Sequence, residues 1–484
     1  MSVARLVAAI ALTSWSLPAA AHGFGQRFDL PLPLWLWLTG AGATIVLTFV
    51  VIALFVRERS IAAGWPQFDL LRFAAVRWIA HPVTVGAVRI LAVVVFVLTA
   101  FAGLLGAQDP YVNLAPTMIW VVWWVGLAFI CALGGDLWAL VNPLRTIFEW
   151  GERGFARLNS GRQRAPRLPY PPWLDVWPGV ALFLCFAWAE LIWQRNDVPR
   201  YLACAMLAYA GVTWTGMLLF GRQVWLAKGE AFSIVFGILA RFAPLAATPR
   251  ELNVRFPGAG LITRQPVSMS FLAFVLLMLA SVTFDGFLET ALNQRMITVV
   301  HQSRMASTAL FELSEWGFDE TQVIETTALV GFALAFVAVF WLTSWVMVRL
   351  ARRDVSASKA ACSFVLTLVP IAVAYHLSHY FSLLVTAGQF IIPLVSDPFG
   401  WGWDLFGTAQ YKVDLGILSP YVFWYSAVTI IVIGHVIAVV LAHTEGLRVF
   451  GSRYAAVVSQ IPMVVLMVAY TTLSLWILAQ PIVG

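Results

Sequence analysis

Charge is the scarcest resource in this chain. Asp, Glu, Lys and Arg together make up 11% of its 484 residues, against 61% apolar ones and a mean hydropathy of +0.84. No soluble domain of this length shows that balance, so a soluble globular protein is excluded at the outset. Cysteine is nearly absent too: Cys131, Cys185, Cys204 and Cys362 all lie inside apolar segments and none stands in a C-x-x-C spacing. That excludes a disulfide framework and a thiolate metal site, and leaves the four as small core residues. Polar linkers are missing as well, so no separate soluble domain is expected, and no internal repeat is evident. The formal charge of +6 invites a nucleic-acid partner, but the basic residues cluster in loops between apolar runs, where membrane orientation places them.

What is present is a series of apolar runs. About ten are long enough to cross a bilayer as helices, near 32–56, 85–106, 117–140, 172–193, 199–220, 267–289, 325–349, 361–392, 419–443 and 454–481. The expected fold is therefore an all-α, polytopic membrane bundle. The basic loops Arg57 to Arg77, Arg145 to Arg167, Arg222 to Arg264, Arg349 to Lys359 and Arg448 to Arg453 alternate with acidic and aromatic ones, so they are expected on the inner side. The segment Glu230 to Ala247 reads as an interfacial amphipathic helix on that side. At the start, Arg5, an apolar run from Leu6 to Leu12 and the small-residue stretch Pro18 to Ala21 read as a signal peptide over 1–21. Cleavage leaves one membrane domain, 22–484, with both termini outside and His22 at the new N-terminus.

Function is sought among ionisable groups at membrane depth, because lipid penalises them. Glu190, Asp285, Glu289, His376, His379 and His435 qualify. Counted from the inner end of each run, Glu190, Asp285 and His379 lie about 27 Å up and His376 about 23 Å, one layer near the outer face. Asp136 lies only about 8 Å up and reads as a helix-end residue.

In LVPIAVAYHLSHYFSLL, His376 and His379 are three apart. Both therefore share a helix face, the spacing of two ligands to one ion, and Pro370 loosens the helix a turn or two earlier. Asp285 completes a His-plus-carboxylate set suited to zinc, iron or manganese, with His435 as a further ligand or partner and Glu190 or Glu289 as proton acceptor. The plainer reading is that both histidines hydrogen-bond neighbouring helices. His443 reads as interfacial. His301, Glu312, Glu315, Asp319 and Glu320 read as a solvated amphipathic stretch, and Trp35, Trp37, Trp120, Trp123 and Trp124 as interfacial anchors. The loop SDPFGWGWDLFGT caps the outer end of the His376 helix and reads as an aromatic lid.

The strings HGFGQRFDLPLPLWL, GGDLWALVNPLRT, AYHLSHYFSLL, SDPFGWGWDLFGT, GHVIAVVLAHTEGLR and SQIPMVVLMVAYTTLSLWILAQPIV resemble the bacterial polytopic fenitrothion hydrolases over nearly the whole chain. The resemblance implies a membrane-bound organophosphorus hydrolase that cleaves an aryl phosphorothioate triester, an apolar small molecule that concentrates in the bilayer. It transfers no catalytic residue, so the sites above rest on the residues themselves. Such chemistry needs an activated water, polarisation of P=O or P=S, and an apolar pocket for the leaving group. Two rival classes stay open: a copper-handling or redox membrane protein, in which an N-terminal His22 chelates through its amine and imidazole, and a proton-coupled permease. A partner membrane subunit is also left open.

Overall fold

The computed structural model describes residues 31–55, 67–159, 166–248, 250–263 and 265–480. The signal peptide and His22 lie outside the described residues. In chain order the main helices are α1 (Leu34–Phe55), α2 (Pro82–Leu105), α3 (Leu114–Leu133), α4 (Pro143–Leu158), α5 (Trp177–Leu191), α6 (Pro199–Phe220), α7 (Arg222–Lys228) and α8 (Ala231–Phe242). They continue with α9 (Met269–Leu288), α10 (Ala291–Gln302), α11 (Arg304–Glu315), α12 (Glu320–Ala351), α13 (Ala357–Ser396), α14 (Pro420–Phe450) and α15 (Arg453–Leu478). Nine of these, α1, α2, α3, α6, α9, α12, α13, α14 and α15, are long and apolar enough to span a membrane. The chain is a multi-pass helical membrane protein. At the end carrying the basic loops, the strands β1 (Phe68–Asp69), β2 (Leu245–Ala247) and β3 (Leu252–Val254) form a small antiparallel sheet in the order β1-β3-β2.

Two expectations change. The run at 172–193 forms only the 15-residue α5, about 22 Å long, short of a hydrocarbon core of about 30 Å. The stretch read as an interfacial helix is instead core: α7 and α8 bend by 64°, and nine of the twelve residues of α8 are buried, Phe232 and Phe236 among them. A helix apolar on every side belongs inside the bundle. Its start is held by Glu230, fully buried, which accepts from the backbone N–H of Phe232 (3.1 Å) and Ser233 (2.7 Å). Trp138 Nε1 lies 3.5 Å from the same carboxylate, and the Tyr209 hydroxyl donates to it.

The centre of the bundle is α13, which is buried along nearly its whole membrane-spanning length. It packs mainly on α14, and also on α8, α9 and the π-helical segment Thr117–Gly126 within α3. As Pro370 suggested, α13 is not uniform: it tightens to a 3₁₀ turn at Val365–Leu368 and resumes as α-helix at Val369–Thr386. Lipid supplies little hydrophobic drive between helices, so close approach of small residues matters. Gly434 of α14 is such a contact, because a Cβ there would lie 2.7 Å from the Pro370 carbonyl oxygen.

Candidate functional site

Asp285 sits on α9 one turn before its end and is 3% exposed. An isolated carboxylate at that depth is costly, and this one is not isolated. Tyr380 Oη donates to Asp285 Oδ2 at 2.6 Å, and His379 Nε2 lies 2.9 Å from the same oxygen. Both partners come from α13, so a single carboxylate ties α9 to the central helix. Glu190 of α5, also buried, is close enough for its carboxylate to interact electrostatically with Asp285. Of the residues expected in one layer, Asp285 and His379 are thus in direct contact.

His376, one turn before Tyr380, takes a different environment. Its ring meets Tyr380 edge-on at 4.7 Å and Trp124 at 5.8 Å between centroids, with Phe129 at 6.1 Å. Its Nε2 is buried without a hydrogen-bond partner among the described residues. His379 is stacked against Tyr375 at 5.7 Å, and the Tyr375 hydroxyl is likewise buried and unpartnered. The space for that hydroxyl exists because residue 286 is glycine: a Cβ there would lie 2.7 Å from Tyr375 Oη and 3.6 Å from His379 Cε1. His379 keeps 15% of its side chain accessible, more than the other members of the cluster.

Three partners escaped the sequence reading. Tyr375 and Tyr380 flank the histidines in the same heptapeptide, and the i, i+4 spacing of His376 and Tyr380 was the available signal. Trp124, read as an interfacial anchor, is 4% exposed and packs among Phe183, Phe186, Phe232 and Phe236. The π-helical winding of Thr117–Gly126 had no sequence mark, and such winding often accompanies functional sites.

The remaining expected residues fall elsewhere. His435 Nδ1 lies 2.8 Å from the Ile431 carbonyl, at the level of Gly434 and Pro370, below the Asp285 layer. Glu289 is half-buried at the C-cap of α9. His443, expected at the interface, is fully buried, with Gln460 Nε2 3.2 Å from its Nδ1. Asp136 is a helix-end residue as expected, accepting from the Ala139 N–H at 2.9 Å; burial pushes its carboxyl above the ordinary range, with that N–H and Arg145 opposing. The loop after α13 is tied down by Asp397, whose carboxylate accepts from the N–H groups of Trp401, Gly402 and Trp403. Phe399 O accepts from Ala107 N–H, which fastens the loop beside the end of α2. Trp401 stacks on Phe399 and Trp403 meets it edge-on, yet they stay 52% and 40% exposed.

Among the described residues no group of three or more His, Cys, Asp and Glu side chains is arranged to hold a metal ion. His379 and Asp285 are in contact, but Asp285 Oδ2 is already shared with Tyr380. These residues alone do not complete a site for zinc, iron or manganese. Compared with known protein families, curated proteins and solved structures, the chain has no match.

Proposed function

We propose that this chain is a membrane-embedded hydrolase of apolar esters, with aryl phosphorothioate and phosphate triesters as its substrate class. One observation carries the reading: a buried carboxylate, Asp285, bonded to the accessible His379 and to Tyr380. A carboxylate behind an imidazole orients the ring and balances the charge it gains on accepting a proton. With the Nε2 proton directed at Asp285, His379 Nδ1 carries the lone pair.

That nitrogen takes a proton from water while the water oxygen bonds to phosphorus. The P–O bond to the aryl group breaks, the aryloxide leaves with the electron pair, and the proton on His379 passes on to solvent. A nitro-substituted aryloxide is stable enough to leave without a general acid. The Tyr375 hydroxyl, unpartnered beside His379, is suited to donate to the phosphoryl oxygen or sulfur as charge builds there. The rings of Tyr380 and Tyr375, 4.8 Å and 5.7 Å from that of His379 between centroids, give the aromatic surroundings that suit an aryl ester. The resemblance to the fenitrothion hydrolases supports the same substrate class.

A second reading is favoured by the unpartnered His376 Nε2. In it an ion draws on His376 and His379, and a metal-assisted hydrolase or a copper protein results. The test is release of nitrophenol from fenitrothion by membranes expressing this chain, against empty-vector membranes and the His379→Ala chain. Release equal to the vector control would end the hydrolase proposal. Metal analysis of the purified protein, with activity before and after chelation, separates the two versions.

A further inference from the structure

Segment 67–83 leads into the spanning helix α2 at the basic end and has no part in the Asp285 cluster. It comprises β1, a 3₁₀ turn at Leu70–Arg72 and a short helix, Ala74–Ile79. None of its residues is buried. Phe68, Phe73, Trp78, Ile79 and Val83 are all exposed, Trp78 by 76% and Val83 by 72%. Exposed aromatics on a loose loop would mean little, but this segment is held at both ends. Phe68 and Asp69 pair with Val254 and Asn253 in the sheet, and Asp69 Oδ1 accepts from the N–H groups of Leu71 (2.9 Å) and Leu252 (3.1 Å). At the other end Thr84 Oγ1 donates to the Trp78 carbonyl at 3.1 Å, and His81 caps α2 by accepting from the Val83 N–H. Between them, Arg77 Nη1 donates to the carbonyls of Leu71 and Arg72, both at 3.0 Å. The result is a fixed bracket.

The Thr84 bond fixes where the bracket lies. The exposed apolar side of α2 runs from Val83 through Ala87, Ile90, Leu91 and Val94 at helical spacing. Lipid contact therefore begins at Val83, and Trp78, hydrogen-bonded to the first turn of the same helix, is at the membrane boundary, where indole rings favour the headgroup level. The charges agree with that position. The Asp69 carboxylate is turned into the sheet, so the outward charges of the segment are those of Arg72 and Arg77. Both are exposed, and neither forms an ion pair among the described residues. Arg72 lies over the Phe68 ring, 5.0 Å from its centroid, which places a cation and an apolar surface side by side.

We propose that segment 67–83 is an in-plane anchor at the headgroup level of the leaflet at the basic end, and that it selects anionic phospholipids. Arg72 and Arg77 meet the phosphates, while Phe73, Trp78 and Ile79 enter the boundary with the acyl chains. Continuity with the lipid-facing side of α2 makes the bilayer, rather than a soluble protein, the occupant of this surface. The inference stands whether or not the hydrolase proposal does.

The test uses the full chain in nanodiscs of mixed phosphatidylcholine and phosphatidylglycerol, with one or the other lipid carrying a photoreactive diazirine at its headgroup, at equal mole fraction. Mass spectrometry of the cross-linked peptides reports where each lipid touches the unaltered protein. The expected result is cross-linking within 67–83, several-fold stronger from phosphatidylglycerol than from phosphatidylcholine. That preference should fall at least twofold in the Arg72→Gln/Arg77→Gln chain. Arg72→Gln alone, whose side chain makes none of the bracket's hydrogen bonds, should lose part of it and guards against a folding defect in the double variant. Labelling of 67–83 by a water-soluble diazirine with no lipid cross-link would show that the surface meets water or another protein and would overturn the proposal. Equal cross-linking by the two lipids, or a preference unchanged in both variants, also overturns it.

Discussion

Asp285 is where residue chemistry and function meet. Asp285→Asn keeps the size of the side chain but removes the charge that balances a protonated His379. It also turns a good acceptor into a group that can present N–H to the ring. Hydrolysis should fall by roughly two to four orders of magnitude, with the protein still inserted; kcat for nitrophenol release in Asp285→Asn membranes checks this, and a rate within threefold of the parent would make Asp285 structural. Tyr380→Phe removes one hydrogen bond to a carboxylate and should cost roughly ten- to a hundredfold. Gly286→Ala tests the space beside the site: its methyl would press on Tyr375 Oη at 2.7 Å, so activity should drop while expression holds. These neighbours could be half-read from the chain, since AYHLSHY puts the histidines and tyrosines on adjoining faces. Which of them faces Asp285 could not be read, because that depends on the rotation of α13 against α9.

At the scale of elements, α8 is the informative failure. From the sequence, Glu230 to Ala247 reads as an interfacial amphipathic helix, which needs a polar face along its length. The charges are instead confined to the termini: Glu230 caps the buried start, and Arg241 stacks over Phe271 at the other end, 5.3 Å from the ring centroid. Glu230→Ala strands the N–H groups of Phe232 and Ser233 and the Tyr209 hydroxyl in an apolar setting. The expected loss is on the order of 3 kcal/mol, read as a lower melting temperature in detergent, with Tyr209→Phe losing about 1 kcal/mol. An unchanged Glu230→Ala protein would mean that α8 is not held by its cap. The α13–α14 contact makes a parallel expectation: Gly434→Val pushes the helices apart at Pro370 and should lower yield and activity together.

Across the whole molecule, charge at the basic end sets the response to acid. Burial pushes the Glu149 carboxyl up, but the Arg145 hydrogen bond and the charges of Arg145, Arg222 and Arg89 outweigh it and hold it below its ordinary range. Asp175 is held low in the same way, burial being outweighed by Ser268, Ser270 and Lys228. A carboxyl whose value falls on folding stabilises the folded state fully above its unfolded value, about 4 to 4.5, and that stabilisation disappears as pH falls through the folded value. Melting temperature should therefore be flat in this respect from pH 7 to about 5 and decline below about 4. Glu149→Gln should start lower at pH 7 and lose less on acidification; a parallel curve would remove Glu149 from the account.

The sequence by itself determined the class of the protein and the position of nearly every span. Runs of apolar residues separated by basic loops leave a chain no option but to satisfy its backbone in helices across lipid. It also put Asp285 and His379 at a common height on their helices, because rise per residue is nearly constant in a helix. Tertiary structure decided the rest. Helix rotation and crossing selected Tyr380 and His379 as partners of Asp285 and turned His376 toward Trp124. The fold of α7 and α8 into the bundle, and the gathering of arginines from α2, α4 and α7 on Glu149, depend on contacts between residues dozens of positions apart. Periodicity along one helix says nothing about which neighbour its faces will meet.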